Sequence, residues 1–265
     1  DLKNKIVKFI GDPDQRIKED YLRILRFIRF SIEYSNFNLD KETLRAIQKN
    51  LGGVTKLSKE RIFFELNKIL KLKNFEELKK DKNFLKIFNL IFPEFKYLDR
   101  TINFSSLRKL SPNILNNNNI LVSLLIDGSN NHEYFSHKYN IPNETKEYLD
   151  FCGKYFKEIQ SNKNFFKKDL NKNIFLFGKE KIKSLFLLSN IIKKNFKPNE
   201  FIKNLSKIDD VSIPKFPITG EYLLNKGLKS GKKMGEAIQE IKDKWLENNF
   251  NLDDDQLSKT IKKFK

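Results

Sequence analysis

Four of the chain's 8 arginines fall within fourteen residues, at Arg16, Arg23, Arg26 and Arg29, and all 8 lie at or before Arg108. The other 44 basic residues are lysines, spread along the whole length. Where a sequence uses Lys for positive charge almost everywhere, Arg marks positions that need a planar fork of donors, able to bond two acceptors of a carboxylate, phosphate or base edge together. The segment around the cluster is GDPDQRIKEDYLRILRFIRF (11–30). Gly11, Asp12 and Pro13 read as a turn feeding a helix, with Glu19 and Asp20 near its N-terminus, where the helix dipole favours carboxylates. Side chains three and four residues apart share a helical face, so Arg23 lies beside both Asp20 and Glu19, and Arg26 and Arg29 continue the ridge. Two uses suit this ladder. One is a protein template that hydrogen-bonds a planar polar ligand such as a nucleobase, each charged hydrogen bond contributing about 1.5–3 kcal/mol. The other is an ordinary solvated face of ion pairs, worth about 0.3–0.5 kcal/mol each. Spacing alone favours neither.

The elements that must position these side chains read as helical. Apolar residues recur at near-helical spacing through Glu19–Tyr34, Asp40 opens a second helix over Lys41–Gln48, and Leu51, Gly52 and Gly53 break it. Ser58 is placed to cap a helix over Lys59–Leu70, with Ile62, Phe63, Leu66, Ile69 and Leu70 on its apolar face. A helix pair follows through Phe75–Phe88, ended by the Phe92–Pro93 step. The Asn116–Asn119 tract reads as a loop and the best breakpoint in the middle of the chain, and Pro214 and Pro217 enforce an extended segment over Val211–Pro217. No run alternates like a strand between hairpin turns. The expectation is an all-α fold of consecutive small helical domains in an elongated arrangement.

Composition sets the limits on partners. The 265 residues carry a formal charge of +18, a balance that seeks polyanions. The longest apolar stretch, ILVSLLI (120–126), falls far short of the roughly 18 residues of a membrane span, so a soluble chain with no membrane partner is expected. A single cysteine, Cys152, leaves no internal disulfide and no multi-cysteine zinc site, which points to a reducing cytoplasm. The chain opens on Asp1 and its only methionine is Met234, so a removed start or a fragment is expected.

GDPDQRIKEDYLRILRFIRF, followed by FNLDKETLRAIQKN and LSKERIFFELNKIL, resembles the neck of the bacterial class II tRNA nucleotidyltransferases and poly(A) polymerases. The likeness is specific over residues 1–72 and reaches the C-terminus more weakly through FPITGEYLLNKGLKSGKKMGEAIQEIKDKWL (216–246). The resemblance implies that the Glu-Asp-x-x-Arg motif selects the incoming nucleotide: Asp20 and Arg23 bond the base edges of CTP or ATP, Glu19 positions them, and Arg26 and Arg29 also reach the nucleotide. Arg61 and Glu65 match the next motif, implied to steady the neck as a structural ion pair. It further implies end of head and linker over 1–16, neck over 17–72, helical body over 73–192 and tRNA-binding tail over 193–265. Partners would be tRNA and nucleoside triphosphates, and the activity CCA addition to tRNA 3′ ends. Polyadenylation, or a non-enzymatic RNA-binding remnant, are the alternatives. Mg²⁺ would be held by the Asp-x-Asp carboxylates of a catalytic head that this sequence does not contain, so the chain is expected to be inactive by itself. Asp12–Pro13–Asp14 matches that string only as letters, in a Pro-containing turn, and Asp253–Asp255 reads as a helix start or solvated loop.

In the C-terminal segment, Thr219–Leu224 reads as a short helix, Gly227 and Gly231 as turns needing positive φ, and Met234–Trp245 as a second helix. Backbone N–H groups at its start, with Lys226, Lys229, Lys232 and Lys233 nearby, form a candidate phosphate and RNA site. A plain helical hairpin with glycine caps fits the same residues. His132 and His137 lack a metal-site pattern, Trp245 reads as a packing anchor, and Cys152 as a buried thiol.

Overall fold

The computed structural model describes residues 5–35 and 40–265, so 1–4, and 36–39 at the opening of FNLDKETLRAIQKN, lie outside the described residues. In chain order the helices are α1 (Pro13–Glu19), α2 (Leu22–Phe30), α3 (Lys41–Asn50), α4 (Lys59–Leu70), α5 (Lys82–Ile91), α6 (Phe104–Leu110), α7 (Asn117–Leu125) and α8 (Asn131–Tyr139). They continue as α9 (Asn143–Ser161), α10 (Leu170–Phe177), α11 (Lys179–Ile191), α12 (Pro198–Asp210), α13 (Gly220–Asn225), α14 (Lys232–Glu247) and α15 (Asp254–Phe264). The fold is all-α, with no strand among the described residues.

Short polar side chains set the helix starts. Asp12 Oδ1 accepts from the Asp14 and Gln15 amides with Pro13 in the first turn, Asp40 accepts from Thr43 N at 2.8 Å, and Ser58 from Arg61 N at 3.4 Å. Asn116 does the same for Asn119 N at 2.9 Å, which corrects the reading of Asn116–Asn119 as a loop. An Asn-rich run supplies a cap at one position and then continues as helix, because Asn119 turns inward and donates to Ile114 O.

A second correction falls on the charged ladder. Glu19–Tyr34 is not one helix: α1 ends at Glu19, Asp20 is extended (φ −155°), and α2 starts afresh at Leu22 and passes into a π-helical turn over Ser31–Ser35. Asp20 Oδ1 accepts from Leu22 N at 3.1 Å, so the residue read as a helical side chain instead ends α1 and closes the turn into the next helix. The Tyr21 ring in the break lies where a side chain on Gly53 would be, 1.9 Å from an ideal Cβ there, and only glycine admits that approach.

The chain divides into two compact units. One comprises the described residues through Asn162 with Lys183–Ser206, the other Lys163–Ile182 with Lys207–Lys265. In the first, α1 packs on α3 and α2 on α4, and a relay of rings through Phe88, Phe92, Phe95, Phe135 and Tyr139 fills the centre, successive centroids 4.8–5.9 Å apart. In the second, Trp245 is buried with Phe175, Phe216 and Phe250 around it at 4.7–5.3 Å, the packing anchor anticipated. Val211–Pro217 carries no helix, as its prolines lead one to expect. No helix among the described residues is long and apolar enough to cross a membrane.

Candidate functional site

The α1–α2 junction gathers the predicted ladder into a bonded array, with partners that differ from those of a single helix. Glu19 Oε2 accepts from Arg16 Nη1 at 2.6 Å and from Arg23 Nη1 at 2.7 Å, and Arg23 Nη1 also donates to Arg16 O at 2.8 Å. The Arg23 guanidinium, followed by that of Arg16, holds the Glu19 carboxyl below the usual carboxylate range. Asp20 is not paired with Arg23: its two oxygens lie 3.2 Å from Nη2 of Arg61, on α4. Arg29 points the other way, its Nε donating at 2.5 Å to Glu65 Oε1, a carboxylate only 2% exposed. The expected Arg61–Glu65 pair within α4 is thereby replaced by two bridges to the α1–α2 region, Arg61 to Asp20 and Glu65 to Arg29. Physical reason follows from burial: a carboxylate as enclosed as Glu65 requires a charged donor at close range, and the inward-facing Arg29 supplies it. Arg26 is exposed and has no ion-pair partner among the described residues.

The structure therefore brings Glu19, Asp20 and Arg23 together at an exposed corner, braced by Arg61, with Arg26 free beside them and Arg29 withdrawn into packing. Sequence spacing missed Arg61 as the partner of Asp20, since a bridge over 41 residues leaves no periodic trace. What the corner offers is carboxylate acceptors next to guanidinium donors on a fixed backbone, able to bond an exocyclic amine and a ring nitrogen or carbonyl of one base.

Asp12 and Asp14 do not fit the role of a metal pair. Asp12 caps α1, and the Asp14 carboxylate receives Lys18 Nζ and Asn50 Nδ2 at 2.6 Å each, with Lys49 Nζ at 3.3 Å. Lys18 is the main cause of its strongly lowered pKa. Among the described residues no group of three or more His, Cys, Asp or Glu side chains could hold a metal ion. Asp253 caps α15. His132 is buried with Nε2 3.9 Å from Asp150 Oδ1, and Cys152 is buried.

In the tail, Thr219 caps α13 and the chain turns at Gly227 (φ 89°) and Gly231 (φ 134°), as the glycines imply. α14 begins at Lys232, two residues earlier than read from sequence, so Lys232 and Lys233 occupy its first turn. Cations there oppose the helix dipole, and Gly231 offers no side-chain cap, a combination that an anion relieves. Lys226 lies 5.7 Å over the Tyr222 ring, Lys232 is 3.9 Å from Glu236, and Lys229 and Lys233 have no ion-pair partner among the described residues.

The chain is therefore all-α, with a braced acid–arginine corner and a lysine-rich terminal hairpin. Residues 36–98 match the family model described as "Probable RNA and SrmB- binding site of polymerase A". The human "CCA tRNA nucleotidyltransferase 1, mitochondrial" is 29% identical over 277 residues, covering 99% of this chain and 60% of the relative. The "CCA-adding enzyme" of Staphylococcus haemolyticus is 39% identical over 98 residues, 37% of this chain and 24% of that one. The fold is similar to the Bacillus stearothermophilus CCA-adding enzyme in complex with CTP (TM-score 0.64, 18% identity, 93% of this chain and 62% of the other). It is similar also to the Thermotoga maritima CCA-adding enzyme complexed with tRNA (TM-score 0.62, 21% identity, 100% and 66%). The chain is thus similar to CCA-adding enzymes in sequence and fold, and it spans about 60% of the length of the curated relatives that it matches almost end to end.

Proposed function

We propose that this chain is the nucleotide-selecting and RNA-binding part of a class II tRNA nucleotidyltransferase that adds CCA to tRNA 3′ ends from CTP and ATP. Residues 17–72 act as the neck, 73–192 as the body and 193–265 as the tail. The observation that carries the reading is the corner of Glu19, Asp20 and Arg23, braced by Arg61, in a chain similar to CCA-adding enzymes over nearly its whole length. Asp20 accepts from the exocyclic amine of cytosine or adenine, Arg23 donates to a ring nitrogen or carbonyl, and Glu19 keeps Arg23 aimed. Arg26, unpaired among the described residues, reaches the same nucleotide. Arg29 contributes by anchoring α2 through Glu65. Lys226, Lys229, Lys232 and Lys233 hold tRNA phosphates at the tail hairpin.

The family's Mg²⁺ and its in-line phosphoryl transfer belong to a catalytic head outside these 265 residues, so the residues present bind and orient but do not join. A reducing cytoplasm suits the lone Cys152, while the animal relatives carry a mitochondrial designation. The test is direct. The 265-residue chain should shift tRNA lacking its CCA end in a gel and incorporate no labelled CTP or ATP. Incorporation by the chain alone would overturn the division of labour. A poly(A) polymerase of the same family is the second reading, favoured by the polymerase A description of the matched segment. With a catalytic head supplied, addition of A alone, with CTP refused, would select it.

A further inference from the structure

Two turns beyond Arg23 the exposed face of α2 becomes aromatic. Phe30, 38% exposed, lies seven residues after Arg23 and four after Arg26, so the three share a face. Tyr34, 47% exposed, follows inside the π-helical turn Ser31–Ser35, an insertion common at functional sites. The two rings are 6.1 Å apart at 31°, and the Arg29 guanidinium carbon sits 4.2 Å over Phe30. Arg29 is itself fixed from behind by Glu65, so the pair of rings stands on a cation that cannot swing away. Glu33 lies 3.8 Å from Arg29, and both rings keep a substantial exposed area beside this cation. Aromatic faces interleaved with guanidinium groups hold unpaired bases whatever their sequence, because every base has a π-face and its phosphate is drawn to the cations. The rise from Arg23 to Phe30 is about 10 Å, a span that the end of one strand bridges.

We propose that Phe30 and Tyr34 form a stacking platform for an unpaired base at the 3′ end of an RNA strand, beside the base-reading corner of Asp20 and Arg23. The identity of the strand end as the acceptor for the nucleotide rests on the function proposed above; the platform itself rests on the rings, their exposure and the arginines.

The experiment compares a tRNA-like minihelix ending in an unpaired 3′ overhang with the same duplex ended blunt, titrated against the 265-residue chain by fluorescence anisotropy. Wild type should bind the overhang about tenfold more tightly. Phe30→Leu with Tyr34→Leu keeps apolar bulk but removes the π-faces, and should bind the two RNAs alike. Phe30→Tyr with Tyr34→Phe should keep the preference. Should the double leucine variant melt lower than wild type, the single Tyr34→Leu, at the more exposed ring, is read in its place. No overhang preference in wild type, or an undiminished one in the leucine variants, overturns the proposal. Loss of the preference under saturating ATP would assign the platform to the free nucleotide and overturn it as well. If wild type binds neither ATP nor CTP yet retains the overhang preference, base reading at Asp20 and Arg23 fails and the platform stands.

Discussion

Around the α1–α2 junction, Arg16, Arg23 and Arg29 each meet a carboxylate at 2.5–2.7 Å, and Asp20 is spanned by Arg61, whereas in the tail Lys226, Lys229, Lys232 and Lys233 reach no carboxylate closer than 3.9 Å among the described residues. Both regions are basic, but only the first spends its cations on fixed geometry. A guanidinium held by two acceptors has a definite direction, and direction is what discriminating one base from another requires. An exposed ammonium keeps its rotamer freedom and acts as a point charge, which is sufficient to attract a phosphate of any sequence. The difference teaches that charge count alone does not distinguish the two regions. Pairing does.

The comparison is broken most severely at Glu65. Glu65→Ala leaves the Arg29 guanidinium without its close acceptor beneath α2, and losing one partner of a buried pair costs about 3–5 kcal/mol. Urea melts of the variant should show that loss, while Lys232→Ala, on the tail, should melt like wild type. Gly53→Ala comes next. Its Cβ would meet the Tyr21 ring at 1.9 Å, so Tyr21 must move from the break between α1 and α2. A cost of about 1–3 kcal/mol is expected, together with blurred selection between CTP and ATP when a catalytic head is supplied. If the variant keeps both stability and selectivity, the junction is not what orients Asp20.

Smaller effects sharpen the contrast. Arg23→Lys preserves the charge and removes the fork, so nucleotide affinity should fall about tenfold with little change in tRNA affinity. The pH dependence follows from Glu19, whose folded pKa is depressed chiefly by Arg23. A depressed carboxylate contributes above its unfolded value and loses that contribution as pH falls through the folded value. Nucleotide selection by the corner should then be flat from neutral pH down to about 5 and fail only in stronger acid. A decline already between neutral pH and 5 would show that Glu19 is not the group that keeps Arg23 aimed.

Local chemistry was readable from the residues and long-range pairing was not. Asp12, Asp40 and Ser58 announce helix starts because a cap acts over two or three residues, and Gly227 and Gly231 announce turns because only their backbone accepts the conformation easily. The grouping of Glu19 with Arg23 was readable for the same reason, a helical spacing that survives the break after Glu19. The break itself left no glycine or proline at Asp20–Tyr21. It is imposed by the Tyr21 ring against Gly53 and by the Arg61 bridge, contacts made only once α2 and α4 are packed. Asp20 with Arg23 and Arg61 with Glu65 were the pairs that local spacing allows, and tertiary packing exchanged both.

The smallest predicted effect tests the other half of the contrast. If the tail lysines act through charge alone, Lys232→Arg with Lys233→Arg should leave tRNA affinity within about twofold of wild type and leave its salt slope unchanged, since the number of neutralised phosphates is the same. Lys232→Ala with Lys233→Ala should instead make the slope of log affinity against log salt shallower by about 1.5–2, the share of two lost phosphate contacts. The measurement is tRNA binding across a salt series. An arginine pair that altered affinity strongly would mean that the first turn of α14 has a shaped site of its own, where fork and ammonium are no longer equivalent. The corner at α2 would then differ from the tail in ligand rather than in kind.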